Sequence, residues 1–186
     1  MTPTELQHLL DHLRSLSRET EWVEFKRNKA VPREIGEYLA ALSNAAALHR
    51  QPHAYILWGV EDGTHNLVGT SFHPHHTKKG NEELEHWLLR LLDPRIEFRI
   101  HEGKVDGKQV VLFKIQPASH RPVRFSGTEY IRVGTYKKMT NSTLRRRLKI
   151  ENHSIASRII RDTIDADLIH QAGGSTRDAN YAPFWA

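Results

Sequence analysis

Ala54-Tyr-Ile-Leu-Trp-Gly-Val60 is an unbroken apolar run between polar segments. Its length, its aromatic content and its lack of alternation read as a strand covered on both faces. Such a strand belongs inside a sheet with an element packed on each side. Glu61-Asp-Gly63 turns the chain after it, and Leu67-Val-Gly69 returns.

The neighbouring segments supply the cover. Upstream, Leu6, Leu9, Leu10, Leu13 and Leu16 recur at helical spacing, with Thr4 as an N-cap. Trp22, Val23 and Phe25 among charges read as a short strand. Pro32 fits the first turn of a helix running to about residue 48, with Ile35, Leu39, Leu42 and Ala46 inward. Downstream, residues 73–80 read as a loop, and 82–92 as a helix burying Leu84, Trp87, Leu88 and Leu91. Strands follow at 95–101, 110–115 and 129–137, the first two joined by the hairpin signal Asp106-Gly107. The order α-β-α-β-β-α-β-β-β predicts an α+β domain over residues 1–140, with a mixed sheet of about five to six strands and three packing helices.

Residues 141–186 differ in character. Leu144-Arg-Arg-Arg-Leu148 reads as a short basic helix, and 155–166 as a second, with Arg158 and Arg161 on its polar side. Two short helices around a polar turn outline a helix-turn-helix-like tail. The alternative is a basic helical tail packed on the first domain or on a second copy of the chain.

Composition narrows the chemistry. The chain has 186 residues, enough for one domain plus a small module. Lys+Arg is 27 against Asp+Glu 22, giving a net charge of +5 that permits an acidic polymer as partner. No cysteine is present, which excludes disulfides, thiolate zinc sites and cysteine nucleophiles. Met1-Thr-Pro-Thr-Glu-Leu6 lacks a basic region followed by an apolar one, and no apolar run approaches about 18 residues, so neither a signal peptide nor a membrane span is expected. A soluble cytoplasmic protein is the default expectation.

Four constellations carry possible chemistry. The first is Glu19-Thr-Glu-Trp-Val-Glu24-Phe-Lys26 together with Asp62. Alternation puts Trp22, Glu24 and Lys26 on one strand face. Glu24 and Asp62 would share an edge if the two strands are neighbours, and carboxylates with a lysine suit Mg²⁺ or Mn²⁺ against a phosphate. The same residues also read as solvated ion pairs, with Asp62 before Gly63 serving a turn. The second is the strand from residue 129, where Tyr130, Arg132, Tyr136 and Lys138 share a parity, with Arg121 and Arg124 upstream. Arginines reach phosphates and tyrosines stack on bases, although an ordinary polar outer face has the same pattern. The third is the tail with Arg158 and Arg161. The fourth is His73-Pro-His75-His76, read as a flexible loop for want of a carboxylate at fixed spacing. No phosphate-cradling Gly-x-x-x-x-Gly-Lys-Ser/Thr is present.

The run Glu-Trp-Val-Glu-Phe-Lys, then Ala41-Leu-Ser-Asn44, Gly59-Val-Glu-Asp-Gly63, Val68-Gly69, Pro122-Val-Arg-Phe and Tyr130-Ile-Arg-Val-Gly134 resembles the AlbA-like domain of the Schlafen family, in its bacterial single-lobe type. The tail is similar to the second half of a winged helix-turn-helix. The resemblance implies a nucleic-acid-binding fold. In the vertebrate proteins that cut tRNA and rRNA, three carboxylates form a divalent-metal endoribonuclease site, and the matching positions are Glu19, Glu24 and Asp62, with Lys26 matching the family lysine. The vertebrate zinc set requires cysteines this chain lacks. Two lobes form a trough there, so a single lobe would need to homodimerise to build one, and a homodimer is a possible partner arrangement. The expectations are therefore a partner of structured, tRNA-like RNA or of DNA, a Mg²⁺ or Mn²⁺ cofactor, and no nucleotide cofactor. The alternative function is a DNA-binding transcriptional regulator.

Overall fold

The computed structural model describes residues 1–16, 20–133, 136–139, 161, 164–165, 169–173 and 180–183. The apolar run forms β2 (Ala54–Trp58), an inner strand. Its sheet runs β1-β2-β7-β6, with β1 (Val23–Lys26), β6 (Phe98–Val105) and β7 (Lys108–Ile115). β1 is parallel to β2, which sets Glu24 opposite Ile56 and Lys26 opposite Trp58. The other two pairings are antiparallel. Asp106 and Gly107 turn β6 into β7 with φ of 49° and 75°, as a hairpin reversing over two residues demands.

Each face has its helix. α1 (Pro3–Arg14) lays Leu6, Leu10 and Leu13 on Val23, Phe25, Leu57, Val110 and Leu112. Its cap is Thr2 rather than the expected Thr4. Pro3 takes the first helical position, and Thr2 and Glu5 bond reciprocally in a capping box. α2 (Pro32–Leu48) is the parallel crossover between β1 and β2 and packs Ile35, Leu39 and Leu42 on Ile56, Trp58, Val111 and Phe113.

Strand alternation shows that a segment is a strand, not which strand it joins. Among the described residues the strands form two four-stranded sheets and two two-stranded pairs, rather than the expected single sheet of about five to six strands. The second four-stranded sheet runs β10-β9-β8-β5, all antiparallel, from β5 (Leu92–Asp93), β8 (Arg124–Phe125), β9 (Thr128–Val133) and β10 (Tyr136–Met139). It covers the far side of α2, so every residue from Leu39 to Ala46 is buried. Small residues permit this double cover. A Cβ at Gly36 would meet Phe125 Cε2 at 2.1 Å. Asn44 then fastens the second sheet. Its Nδ2 donates to the carbonyls of Val123 (2.9 Å) and Tyr130 (2.8 Å), and its Oδ1 accepts from the Val123 N–H at 2.7 Å.

The 73–80 segment holds a 3₁₀ turn at Pro74–His76 and β3 (Lys78–Lys79), which pairs with β4 (Glu82–Glu83). α3 (Leu84–Leu91) follows and sets Trp87 edge-on to Phe125. In the tail, residues 161 and 164–165 are helical, and β11 (Ile169–Gly173) pairs antiparallel with β12 (Asn180–Pro183). The expected basic helix at 144–148 lies outside the described residues, as does most of 155–166. Among the described residues no helix is long and apolar enough to cross a membrane.

Two substitutions test the docking of the second sheet. Gly36→Ala forces the buried Phe125 ring to move and is expected to cost about 1–3 kcal/mol. Asn44→Ala strips partners from buried main-chain groups and is expected to cost on the order of 3 kcal/mol. Urea unfolding of each variant measures both losses, and a wild-type midpoint for either would show that the contact is not needed.

Candidate functional site

Alternation along β1 splits its side chains between the two cores. Val23 and Phe25 enter the α1 core, while Glu24 and Lys26 face α2. Glu24 is 3% exposed. Its Oε1 accepts from Lys26 Nζ, and its Oε2 accepts from Arg132 Nη1 of β9. Arg132 is fully buried. Lys26 Nζ also donates to the Tyr38 hydroxyl of α2 at 3.1 Å and lies 4.5 Å from that ring's centroid. One carboxylate thus joins the first sheet to the second, beside the helix between them.

Burying an ion costs several kcal/mol in desolvation, and good geometry with opposite charge offsets it. Burial pulls Lys26 down, but the Glu24 charge and the bonds to Glu24 and Tyr38 outweigh it and raise its pKa above the ordinary lysine value. Burial, then the Glu24 charge, pushes Tyr38 up. The sign is therefore shared: both groups stabilise the fold below their unfolded pKa values, and that stability is lost as pH rises through the folded ones.

The structure brings Glu24 and Lys26 together but sets Asp62 apart. The N–H of Gly59 donates to the Lys26 carbonyl at 2.8 Å, so β2 outruns β1 before Asp62 is reached. Asp62 is exposed in the turn ahead of Gly63, whose φ is 83°. Its neighbour Glu61 lies toward β1, 3.9 Å from Arg27. Glu19 lies outside the described residues. Among the described residues, no group of three or more His, Asp or Glu side chains is arranged to hold a metal. With both Glu24 oxygens bonded to cations, the described residues, which leave out Glu19, do not fit a divalent ion at Glu24.

The nucleic-acid candidates redistribute. The register pairs Val133 with Tyr136 and Ile131 with Lys138. The chain reverses between β9 and β10, and that reversal inverts the parity expected for one continuous strand. Tyr130 (4% exposed) and Arg132 turn in toward α2, correcting their expected outward position. Burial, then the Glu37 charge, raises the Tyr130 pKa. Tyr136 and Lys138 share a face with Ile131 instead. On that outer face Arg124 Nε donates to Glu129 at 2.8 Å, and Arg121 Nη2 to Asp93 at 2.7 Å. Both arginines are exposed. Arg161 is exposed in the tail, and Arg158 lies outside the described residues.

The histidine loop acquires a carboxylate from a distant strand. His73 Nδ1 lies 3.1 Å from Glu102 Oε2, and His75 Nε2 is 3.8 Å from Oε1. The pairs tether the loop to β6. Tyr38 and the Glu24 partnership of Arg132 had no local signal in the sequence. An inward cation in β9 becomes legible only once α2 is known to cover that face.

The family model described as Schlafen, AlbA_2 matches residues 19–141. No curated protein matches the chain. Among solved structures, the DIP2311 protein from Corynebacterium diphtheriae is similar at a TM-score of 0.45 and 16% identity, over 76% of this chain. The chain spans 28% of that protein. The N-terminal domain of a RecG-related protein from Nitrosomonas europaea is similar at a TM-score of 0.44 and 21% identity, over 71% of this chain and 90% of that one.

Two measurements probe the buried cluster. Glu24→Gln is expected to lose about 3–5 kcal/mol, because it removes the carboxylate from a buried arginine. Asp62→Asn, at an exposed turn, is expected to unfold like the wild type. In denaturant titrations between pH 7 and 11, stability should hold to about pH 10 and fall above it, in the window set by the raised Lys26 and Tyr38 values. A stability flat across that range would contradict the assignment.

Proposed function

Because the chain belongs to the Schlafen AlbA_2 family, we propose that it binds nucleic acid, engaging structured RNA through phosphate contacts on the outer face of the β10-β9-β8-β5 sheet. The supporting observation is that four residues share this face. Arg121 and Arg124 are exposed on it, and Tyr136 and Lys138 occupy register positions on it. The carboxylates of Asp93 and Glu129 accept hydrogen bonds from the two guanidinium groups. Exposed pairs of this kind are worth only about 0–1 kcal/mol, so a phosphate displaces the carboxylate at little cost. Arginine suits phosphate through paired N–H donors, and tyrosine offers a stacking plane to an unpaired base.

Metal-dependent cleavage of tRNA-like RNA by Glu19, Glu24 and Asp62 is the finer reading of the same family. It requires a divalent ion beside the two cations that Glu24 already pairs with, so binding is the reading the geometry supports best. A second reading, binding of duplex DNA as a regulator, draws on the tail. There the β11–β12 pair follows helical residues with Arg161 exposed, the order of helix and ribbon in the second half of a winged helix-turn-helix.

Fluorescence anisotropy with tRNA and with random duplex DNA separates the readings. An Arg121→Ala/Arg124→Ala double variant is expected to weaken tRNA binding and to lower the salt slope by about 2, one for each lost phosphate contact. An unchanged affinity and slope would remove this face from the interface. Preference for one duplex sequence over tRNA would favour the tail instead.

A further inference from the structure

We infer that the Glu24 carboxylate is the permanent internal counter-ion of Lys26 and Arg132 and does not ligate a divalent ion. Both of its oxygens already accept hydrogen bonds from cationic side chains. A divalent ion on either oxygen would sit beside a lysine and an arginine already bonded to the same carboxylate, so its charge would be set against two fixed positive groups.

Neither cation can step aside cheaply. The Arg132 side chain has no exposed surface and cannot shed its proton. A dication taking its place would leave a guanidinium confined beside a like charge. Lys26 is held from two sides, by Glu24 and by the Tyr38 hydroxyl, and its raised pKa keeps it charged. Its side chain is 20% exposed, so it is the one opening of the cluster toward solvent among these three ions.

The ions that such a site would serve need space as well as charge. Mg²⁺ keeps several of its waters when it binds protein carboxylates. A carboxylate 3% exposed, wedged between β1, α2 and β9, leaves little room for a hydrated ion. Asp62, the other described member of the expected trio, sits in an exposed turn beyond the end of β1. Lysine and arginine thus supply Glu24 with positive charge covalently attached to the fold, where a metalloenzyme would recruit it from solution.

The test uses the whole wild-type chain. Substoichiometric Mn²⁺ is added, and paramagnetic broadening of assigned backbone amide resonances is followed by NMR. The expected result is that the amides of Glu24, Phe25 and Lys26 keep their intensity relative to amides across the sheet, wherever else Mn²⁺ binds. Selective loss of those three resonances, reversed by EDTA, would overturn the inference. A second measurement needs no metal: Glu24→Gln and Arg132→Gln should destabilise the fold less in combination than the sum of the two singles, as residues in direct contact do. Strict additivity would count against the pairing. Neither readout involves RNA. Failure to bind tRNA would remove the proposed function and leave this inference standing, whereas broadening at β1 would do the reverse.

Discussion

The bond between Glu24 and Arg132 spans 108 residues of chain and couples two sheets that share no strand. Its members come from β1 and β9, on opposite sides of α2. Such a bond forms only when α2 is seated against both sheets, so it reports on the whole arrangement. Apolar packing supplies most of the driving force, but it is non-directional and tolerates sliding. A buried carboxylate with a cation on each oxygen tolerates much less, because a displaced guanidinium loses its compensation in a medium of low polarity. The cluster therefore fixes how the second sheet is docked once burial has brought it near.

The same chemical pair occurs in two settings with opposite meanings. Arg124 and Glu129 lie on the outer face, with 49% and 26% of their side chains exposed. Arg132 and Glu24 lie within, at 0% and 4%. Water screens the first pair, so its partners exchange freely for other ions. The second pair has no solvent to fall back on. Neighbouring segments of one chain thus carry a pair suited to recognition and a pair suited to architecture, and burial alone distinguishes them.

The elements legible in the sequence were those whose signal is local. The apolar run at Ala54 reads as an inner strand without any partner in view, and the leucine periodicity of α1 and α2 marks their buried faces directly. Asp106-Gly107 announces its own hairpin. What stayed hidden depends on distant pairing. Nothing near residue 133 says that the chain reverses before Tyr136, and that reversal moves Tyr136 and Lys138 to the opposite face from Tyr130 and Arg132. For the site, the cluster of charges around Glu24 was evident, but its meaning was not. Whether Glu24 meets a metal, water or an arginine is decided by β9, more than a hundred residues downstream. Likewise the carboxylate beside His73 comes from β6, which no spacing rule within the loop could supply.

Asn44 holds the second sheet by main-chain atoms alone: the N–H and carbonyl of Val123 and the carbonyl of Tyr130. A clamp that grips backbone is indifferent to the side chains projecting from the other side. The outward positions of β8 and β9 are consequently free to drift in sequence without loosening the sheet from its helix. A lineage carrying this clamp can alter what its surface recognises one residue at a time, with each intermediate still folded. Evolvability of the surface is, in this chain, a by-product of how one buried amide is satisfied.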